Sequence, residues 1–433
     1  MISRITGLFK RNEYKTILEN MLSLTGLQFA SYILPLITLP YLTWTLGPEL
    51  FGLTQYAISL ITYFQFFTDY GFNLSATREL AIVKEDNEKV SRIFNSVMFI
   101  KVVLCIISFM ITLLLITFIA KFNKDAMIYL LTFGMVIGYI LFPTWLFQGM
   151  EYMKYTSILN IIGKVIFTVL IFLLIHQKED YILVPIINSF GLIVVGAIGL
   201  YIAITKFDIK LKIPSKEDII YHLKEGWHVF ISTIAINMYT TTNTFLLGLL
   251  TNNTLVGYYS IAEKMILAVN GLLNPISQAL YPFISRSVND DKKTSIIFIR
   301  KLTKLMAVVG FILSLGLFIF SKTIVLTLFG PSYASSTILL QIMSIIPLAV
   351  SLSTIFGIET MLTFNYKKAF TTIVMLGGLL DIILGIILIY LLKEVGIAIS
   401  FTITEIFITI AMFIFLQNKG IKIIGKLNSN NKD

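Results

Sequence analysis

Apolar runs of about 20 residues, the length that crosses a bilayer, recur twelve times along the chain, at 17–46, 52–76, 93–120, 126–147, 158–175, 181–205, 227–250, 256–283, 302–320, 338–362, 370–391 and 395–416. The predicted fold class is an all-α integral membrane protein with twelve transmembrane helices. Within the eighth run one polar face continues along the whole length: Tyr259, Ser260, Glu263, Asn270, Asn274, Ser277, Gln278 and Tyr281. At 100° per residue these positions fall within an arc of about 100°. Lys264 stands at its edge, and Ile261, Met265, Ala268 and Leu272 lie opposite. An ionised side chain at the bilayer centre costs roughly 2.5 to 3.5 kcal/mol on insertion scales, so the stripe is expected to line water. Three more runs carry polar faces. The first has Thr25, Gln28, Ser31 and Tyr32; the second Gln55, Ser59, Thr62, Asp69 and Asn73; the seventh Thr233, Asn237, Thr240, Thr241 and Thr244. Such a pattern reads as a transporter whose substrate path lies where the four stripes meet.

The longest connection divides the runs six and six. The expected organisation is an N-terminal tail (1–16), a first lobe (17–205), a linker (206–226), a second lobe (227–416) and a C-terminal tail (417–433). Short internal similarities support two related halves. Phe51-Gly52 is followed by Ala57 as Val256-Gly257 is by Ala262, and Phe147-Gln148-Gly149-Met150-Glu151 resembles Phe356-Gly357-Ile358-Glu359. With an even number of helices per half, the lobes are expected to be related by a pseudo-twofold along the membrane normal. Pro35 and Pro40 in the first run, with Pro275 and Pro282 in the eighth, are expected to bend helices along the path.

Charge orients the chain. Of the 34 lysines and arginines, 26 fall on one side of this topology, five on the other and three inside runs. This asymmetry places both termini, the tails and the linker in the cytoplasm. The net charge of +10 is then topology and affinity for an anionic inner leaflet of membrane lipids. Basic residues scattered over short loops do not suggest a nucleic-acid partner. Residues 1–16 are polar and basic, and the first run lacks a small-residue cleavage site, so no signal peptide is read. The single Cys105 excludes an internal disulfide.

Ionisable residues inside the runs are the candidate chemistry. Lys264 beside the stripe is read as an anion contact, with Glu263 next to it. Asp69 and Arg78, near the end of the second run, are candidates for the path or for an ion pair with each other. Lys101 and Lys164, six to eight residues from the inner surface, are expected to snorkel. Glu359, Asp381 and Glu405 are candidate proton or sodium sites. Enzymatic signatures are absent: there is no Walker A sequence, and His176, His222 and His228 lie in loops or at a run's end. Neither a cofactor nor a metal is called for.

Several segments resemble the Wzx-type polysaccharide repeat-unit flippases of the multidrug/oligosaccharidyl-lipid/polysaccharide (MOP) exporter superfamily. They are residues 66–81 (FFTDYGFNLSATRELA), 143–153 (PTWLFQGMEYM), 256–264 (VGYYSIAEK), 274–285 (NPISQALYPFIS) and 345–359 (IIPLAVSLSTIFGIE). The resemblance implies a MATE-like two-lobe fold in the bacterial plasma membrane. It also implies alternating-access translocation of an undecaprenyl-pyrophosphate-linked oligosaccharide to the outer leaflet, for O-antigen or capsular polysaccharide. A polysaccharide polymerase and a chain-length regulator are the implied partners. Ala262-Glu263-Lys264 resembles a run in related peptidoglycan-precursor flippases, whose basic residue meets the lipid pyrophosphate. On these grounds the substrate-binding candidates are Lys264, Glu263, Asn270, Asn274, Gln278, Gln28, Tyr32, Gln55, Ser59, Asn237, Thr241, Asp69 and Arg78. Moving a doubly charged pyrophosphate outward across an inside-negative membrane gains roughly 4 to 5 kcal/mol per 100 mV. The competing readings are a cation-coupled multidrug antiporter, which calls for a more acidic cavity, and a membrane-embedded polymerase or acyltransferase, which calls for a large outer loop or a buried histidine.

Overall fold

The computed structural model describes residues 11–274, 277, 280, 281, 284, 285, 288, 292–421 and 423; the side chains of residues 11–33, 228, 232–240 and 293 lie outside that description. The described residues are almost entirely helical, without a strand. The first 59-residue helix, α1 (Arg11–Asp69), contains both Pro35 and Pro40, yet its non-helical point is Gly47, at φ 71° and ψ 174°. That conformation is essentially restricted to glycine. Pro275 and Pro282 lie outside the described residues. There follow α2 (Phe72–Val83), α3 (Asn87–Phe118), α4 (Ala120–Lys124), α5 (Ala126–Leu141), α6 (Thr144–Gly149), α7 (Met153–Leu174) and α8 (Leu183–Lys206). After a non-helical stretch over 207–215, the chain continues through α9 (Lys216–Leu250), whose first turn is capped by Ser215, and α10 (Asn253–Gly271). Then come α11 (Lys292–Phe329), α12 (Ser336–Met343), α13 (Ile346–Thr354), a π-helical segment (Ile355–Leu362) and α14 (Lys367–Asn418), which breaks at Lys393.

Among the described residues, seven helices are long and apolar enough to cross a membrane, where twelve runs were expected. They take in α3, α5 with α6, α7, α8, α11, α12 through the π-helical segment, and the whole of α14. The last of these takes in two of the expected runs, 370–391 and 395–416, on either side of its break at Lys393.

Helix contacts sort into two bundles. In the first, α5 packs on α8, α8 on α7, and α1 on α3, α5 and α7; in the second, α9 packs on α14, α11 on α12 and α13, and α10 on α12. The bundles meet where α1 faces α9 and α10.

At the end that the charge asymmetry expects to be outer, the backbones touch. A Cβ added to Gly52 would fall 1.8 Å from the Asn253 carbonyl oxygen, and one added to Gly257 2.2 Å from that of Pro48. Hydrogen alone fits at either position, so the two glycines matched in the sequence interlock reciprocally across the seam. Close by, the Lys121 ammonium donates to the carbonyls of Gly248, Leu249 (3.1 Å) and Thr251 (2.8 Å) at the C-terminus of α9. These acceptors are the ones a helix end leaves unsatisfied, at the negative pole of its dipole. At the opposite end the first turns of α9 dock on the first bundle. Arg92 donates to Asp218 at 2.7 Å, His222 Nδ1 lies 3.3 Å from Glu79, and the rings of Tyr70 and Phe230 stack at 4.7 Å.

Candidate functional site

Between these ends the bundles part around a cavity of about 440 Å³. Its polar lining is Thr38 and Gln55 from α1, Asn160 and Lys164 from α7, Asn188 from α8 and Lys264 from α10; Leu39, Leu42, Phe167 and Leu192 are among the apolar walls. Lys264 is the twelfth residue of α10, eleven positions past Asn253, about 16 Å along the axis. Lys164 lies ten positions before Leu174, the end of α7, or about 15 Å. Against a hydrocarbon layer of about 30 Å, both cations sit at mid-depth. The expectation that Lys164 snorkels is therefore corrected. Its helix begins at Met153, five residues before the expected start, which puts the ammonium too far from either surface, and the half-buried side chain faces the cavity. Asn160 and Lys164 are one turn apart on the same face of α7.

Lys101 is likewise corrected. It is buried at 1% exposure, with its ammonium 3.6 Å from Asp69 and 5.3 Å from the centre of the Tyr139 ring. Asp69 is thus neutralised inside the first bundle by Lys101 and not by Arg78, which is exposed in the middle of α2. A buried carboxylate and ammonium each require such a partner, because desolvation of a lone charge costs several kcal/mol. Neither Asp69 nor Arg78 lines the cavity.

The polar stripe of α10 is not continuously wet. Tyr259 and Ser260 are fully buried, and Glu263 accepts a hydrogen bond from Thr244 of α9 at 2.9 Å. The stripe's first turns thus pack inside the second bundle, and among the described stripe residues it is Lys264, at the edge, that reaches the cavity. Further along, Asn270 is half-buried and Asn274 exposed. Ser59 is buried and returns its hydroxyl to the Tyr56 carbonyl, a local helix bond. Thr241 is half-buried. Gln28, Tyr32, Asn237 and Gln278 lie outside the residues whose side chains are described.

The three carboxylates of the second bundle differ in surroundings. Asp381 is fully buried and accepts from Ser400 at 2.9 Å and Thr404 at 3.4 Å, with Asn243 beside it. Its second oxygen has no hydrogen-bond partner among the described residues. Glu359, on the π-helical segment, is buried and accepts from Ser277. Glu405 is buried on α14. Asn160 and Asn188 were missed from sequence. Asn160 and Lys164, two polar residues four apart in an otherwise apolar run, were the available signal.

The fold is that of MOP-superfamily transporters. A multidrug resistance MATE family transporter in an inward-facing conformation superposes with a TM-score of 0.72 at 11% identity, over 91% of this chain and 96% of that one. A lipid II flippase, MurJ, in an inward closed conformation superposes with a TM-score of 0.68 at 15% identity, over 93% and 90%. In sequence, the model of the polysaccharide biosynthesis protein family matches residues 17–288. The chain is 36% identical over 400 residues to the "Putative O-antigen transporter" of Escherichia coli, covering 92% of this chain and 96% of the relative. Its namesake from Shigella dysenteriae is 28% identical over 91% of this chain and 98% of the relative. The chain belongs to the polysaccharide biosynthesis protein family, and it is a multi-pass membrane protein.

Proposed function

We propose that this protein is a flippase for a lipid-linked oligosaccharide repeat unit, carrying an undecaprenyl-pyrophosphate-linked substrate from the inner to the outer leaflet of the bacterial plasma membrane. The observation that carries the reading is Lys264, a mid-depth cation on the wall of a cavity between two bundles. A charge there has use for an anion that enters the membrane, and sugar hydroxyls require the amide partners that Gln55, Asn160 and Asn188 supply. The names of the relatives point the same way. A cationic drug antiporter fits poorly, because the charged residues lining the cavity are, among the described residues, lysines. The Gly52–Gly257 seam faces outward and both termini are cytoplasmic, in keeping with the charge asymmetry. Residues 17–205 and 227–416 act as the two rocking lobes, joined by the 206–226 linker.

Of the three coupling candidates, Asp381 and Glu359 each keep one carboxylate oxygen without a hydrogen-bond partner among the described residues, and we place Asp381 first because hydroxyls and an amide surround it as they would a proton or a small cation. A polymerase and a chain-length regulator would receive the delivered unit. The test is complementation of a strain lacking the protein. Lys264→Ala should insert at wild-type level, abolish surface polymer and leave lipid-linked units on the inner leaflet, while Lys264→Arg keeps most export. Equal export by all three proteins would remove Lys264 from the site.

A further inference from the structure

A second cavity, of about 590 Å³, opens where residues 207–215 are tied to the start of α3. The Asn95 amide donates to the Lys210 carbonyl at 2.9 Å, the Lys210 N–H donates to the Ser91 hydroxyl at 3.1 Å, and Ile209 is buried in the first bundle. These contacts fix the depth of the stretch. Asn95 lies 23 positions before Phe118, about 35 Å along α3, and the exposed apolar side chains of that helix, Phe99, Val102 and Ile106, begin one turn further in. Against a hydrocarbon layer of about 30 Å, the cavity stands at the level of the lipid headgroups. There Leu211 is 66% exposed and Ile213, on the cavity wall, 93%.

We propose that this cavity holds the headgroup of a zwitterionic aminophospholipid of the surrounding leaflet, with the acyl chains running past Ile213 and along α3. The charges on the wall select that class. Arg92 and Asp218 answer each other at 2.7 Å. The other four, Glu88, Asp208, Lys210 and Lys212, are two of each sign. A phosphoethanolamine group carries a phosphate for the lysines and an ammonium, with three N–H donors, for the carboxylates. Phosphatidylglycerol satisfies the lysines but brings its phosphate among carboxylates with no cation of its own. Phosphatidylcholine has the right charges, but its methylated nitrogen donates no hydrogen bond. Such a lipid is a resident of the protein's rim and not the cargo of the central cavity, and it pins the stretch that leads from α8 into α9.

The experiment is native mass spectrometry of the full-length protein, stripped of lipid in detergent and given dioleoyl phosphatidylethanolamine, phosphatidylglycerol or phosphatidylcholine. Wild type should retain the ethanolamine lipid about tenfold better than either of the others, the worth of one charge-assisted hydrogen bond. Glu88→Gln with Asp208→Asn should bring the ethanolamine and glycerol lipids level, and Lys210→Gln with Lys212→Gln should lose both. All four side chains are exposed, and asparagine tolerates the left-handed backbone of Asp208 (φ 45°), so the lipid-free melting temperatures should match wild type. Soluble O-phosphoethanolamine should compete about a hundredfold less well than the lipid, because it lacks the chains that Ile213 meets. Equal retention of the three lipids by wild type, or an ethanolamine preference that survives the carboxylate variant, would overturn the proposal. So would equal competition by the soluble headgroup, which would make the cavity a site for a water-soluble ligand. Each of these results leaves the export test on Lys264 untouched.

Discussion

Two regions of the membrane interior hold lysines, and they treat them in opposite ways. Inside the first bundle Lys101 is sealed at 1% exposure against Asp69, and Tyr139 covers it. At the seam Lys164 and Lys264 are half-buried on the wall of open space. The first arrangement neutralises a charge so that helices can pack around it. The second leaves two lysines on the wall of one cavity. The residue type is the same in both regions. What separates the two regions is that Lys101 is sealed against a carboxylate, whereas Lys164 and Lys264 line a cavity.

The largest effect that would sharpen this contrast is expected at Lys101. Lys101→Ala strands the Asp69 carboxylate, and thermal or denaturant unfolding should show a loss of about 3 to 5 kcal/mol. Pairing Lys101→Met with Asp69→Leu should return most of the stability and leave export working. If the double variant folds but cannot export, Asp69 and Lys101 belong to the mechanism and the contrast breaks.

The next effect is at the seam itself. Gly257→Val drives a side chain into the Pro48 carbonyl, so the expected cost is about 1 to 3 kcal/mol. Because the clash lies between bundles, cysteines placed at Gln55 and Asn188 should react with water-soluble thiol reagents from the outer side in this variant and not in wild type. Unchanged labelling would show that the cavity is closed elsewhere.

Lys264→Ala should change stability by no more than about 0.5 kcal/mol while export fails, the reverse of the Lys101 result. The smallest effect is predicted for the exposed Arg92–Asp218 pair at the opposite end. The Arg92 guanidinium holds the Asp218 carboxyl below its ordinary range. A depressed carboxyl contributes above its unfolded value and is lost only as pH falls through the folded one, so the contribution is constant between about pH 5 and 8. Arg92→Gln should leave the melting temperature unaltered across that range. A clear fall would mean that this pair carries more of the docking of α9 on the first bundle than an exposed ion pair usually does.

Much of the path was legible because periodicity reports directly on helices. The stripe of 256–283 identified α10 as a helix with business in the membrane, and Lys264 at its edge does reach the cavity. The same periodicity misjudged Tyr259, Ser260 and Glu263, since a polar arc has the same spacing whether it meets water or, as here, Thr244 of α9. Lys164 was misjudged by a boundary: five residues at the start of α7 are the difference between a snorkelling side chain and one stranded at mid-depth.

The sequence alone determined that the chain is helical and membrane-embedded, which helices carry polar faces, and which two glycines are equivalent. These follow from hydropathy and spacing, which are properties of each segment by itself. Only the tertiary structure decided that Asp69 is answered by Lys101, that Gly52 and Gly257 interlock, and that Lys164 joins Lys264 in one cavity. Each of those depends on which face of one helix meets which face of another, a relation between distant segments that no local pattern encodes.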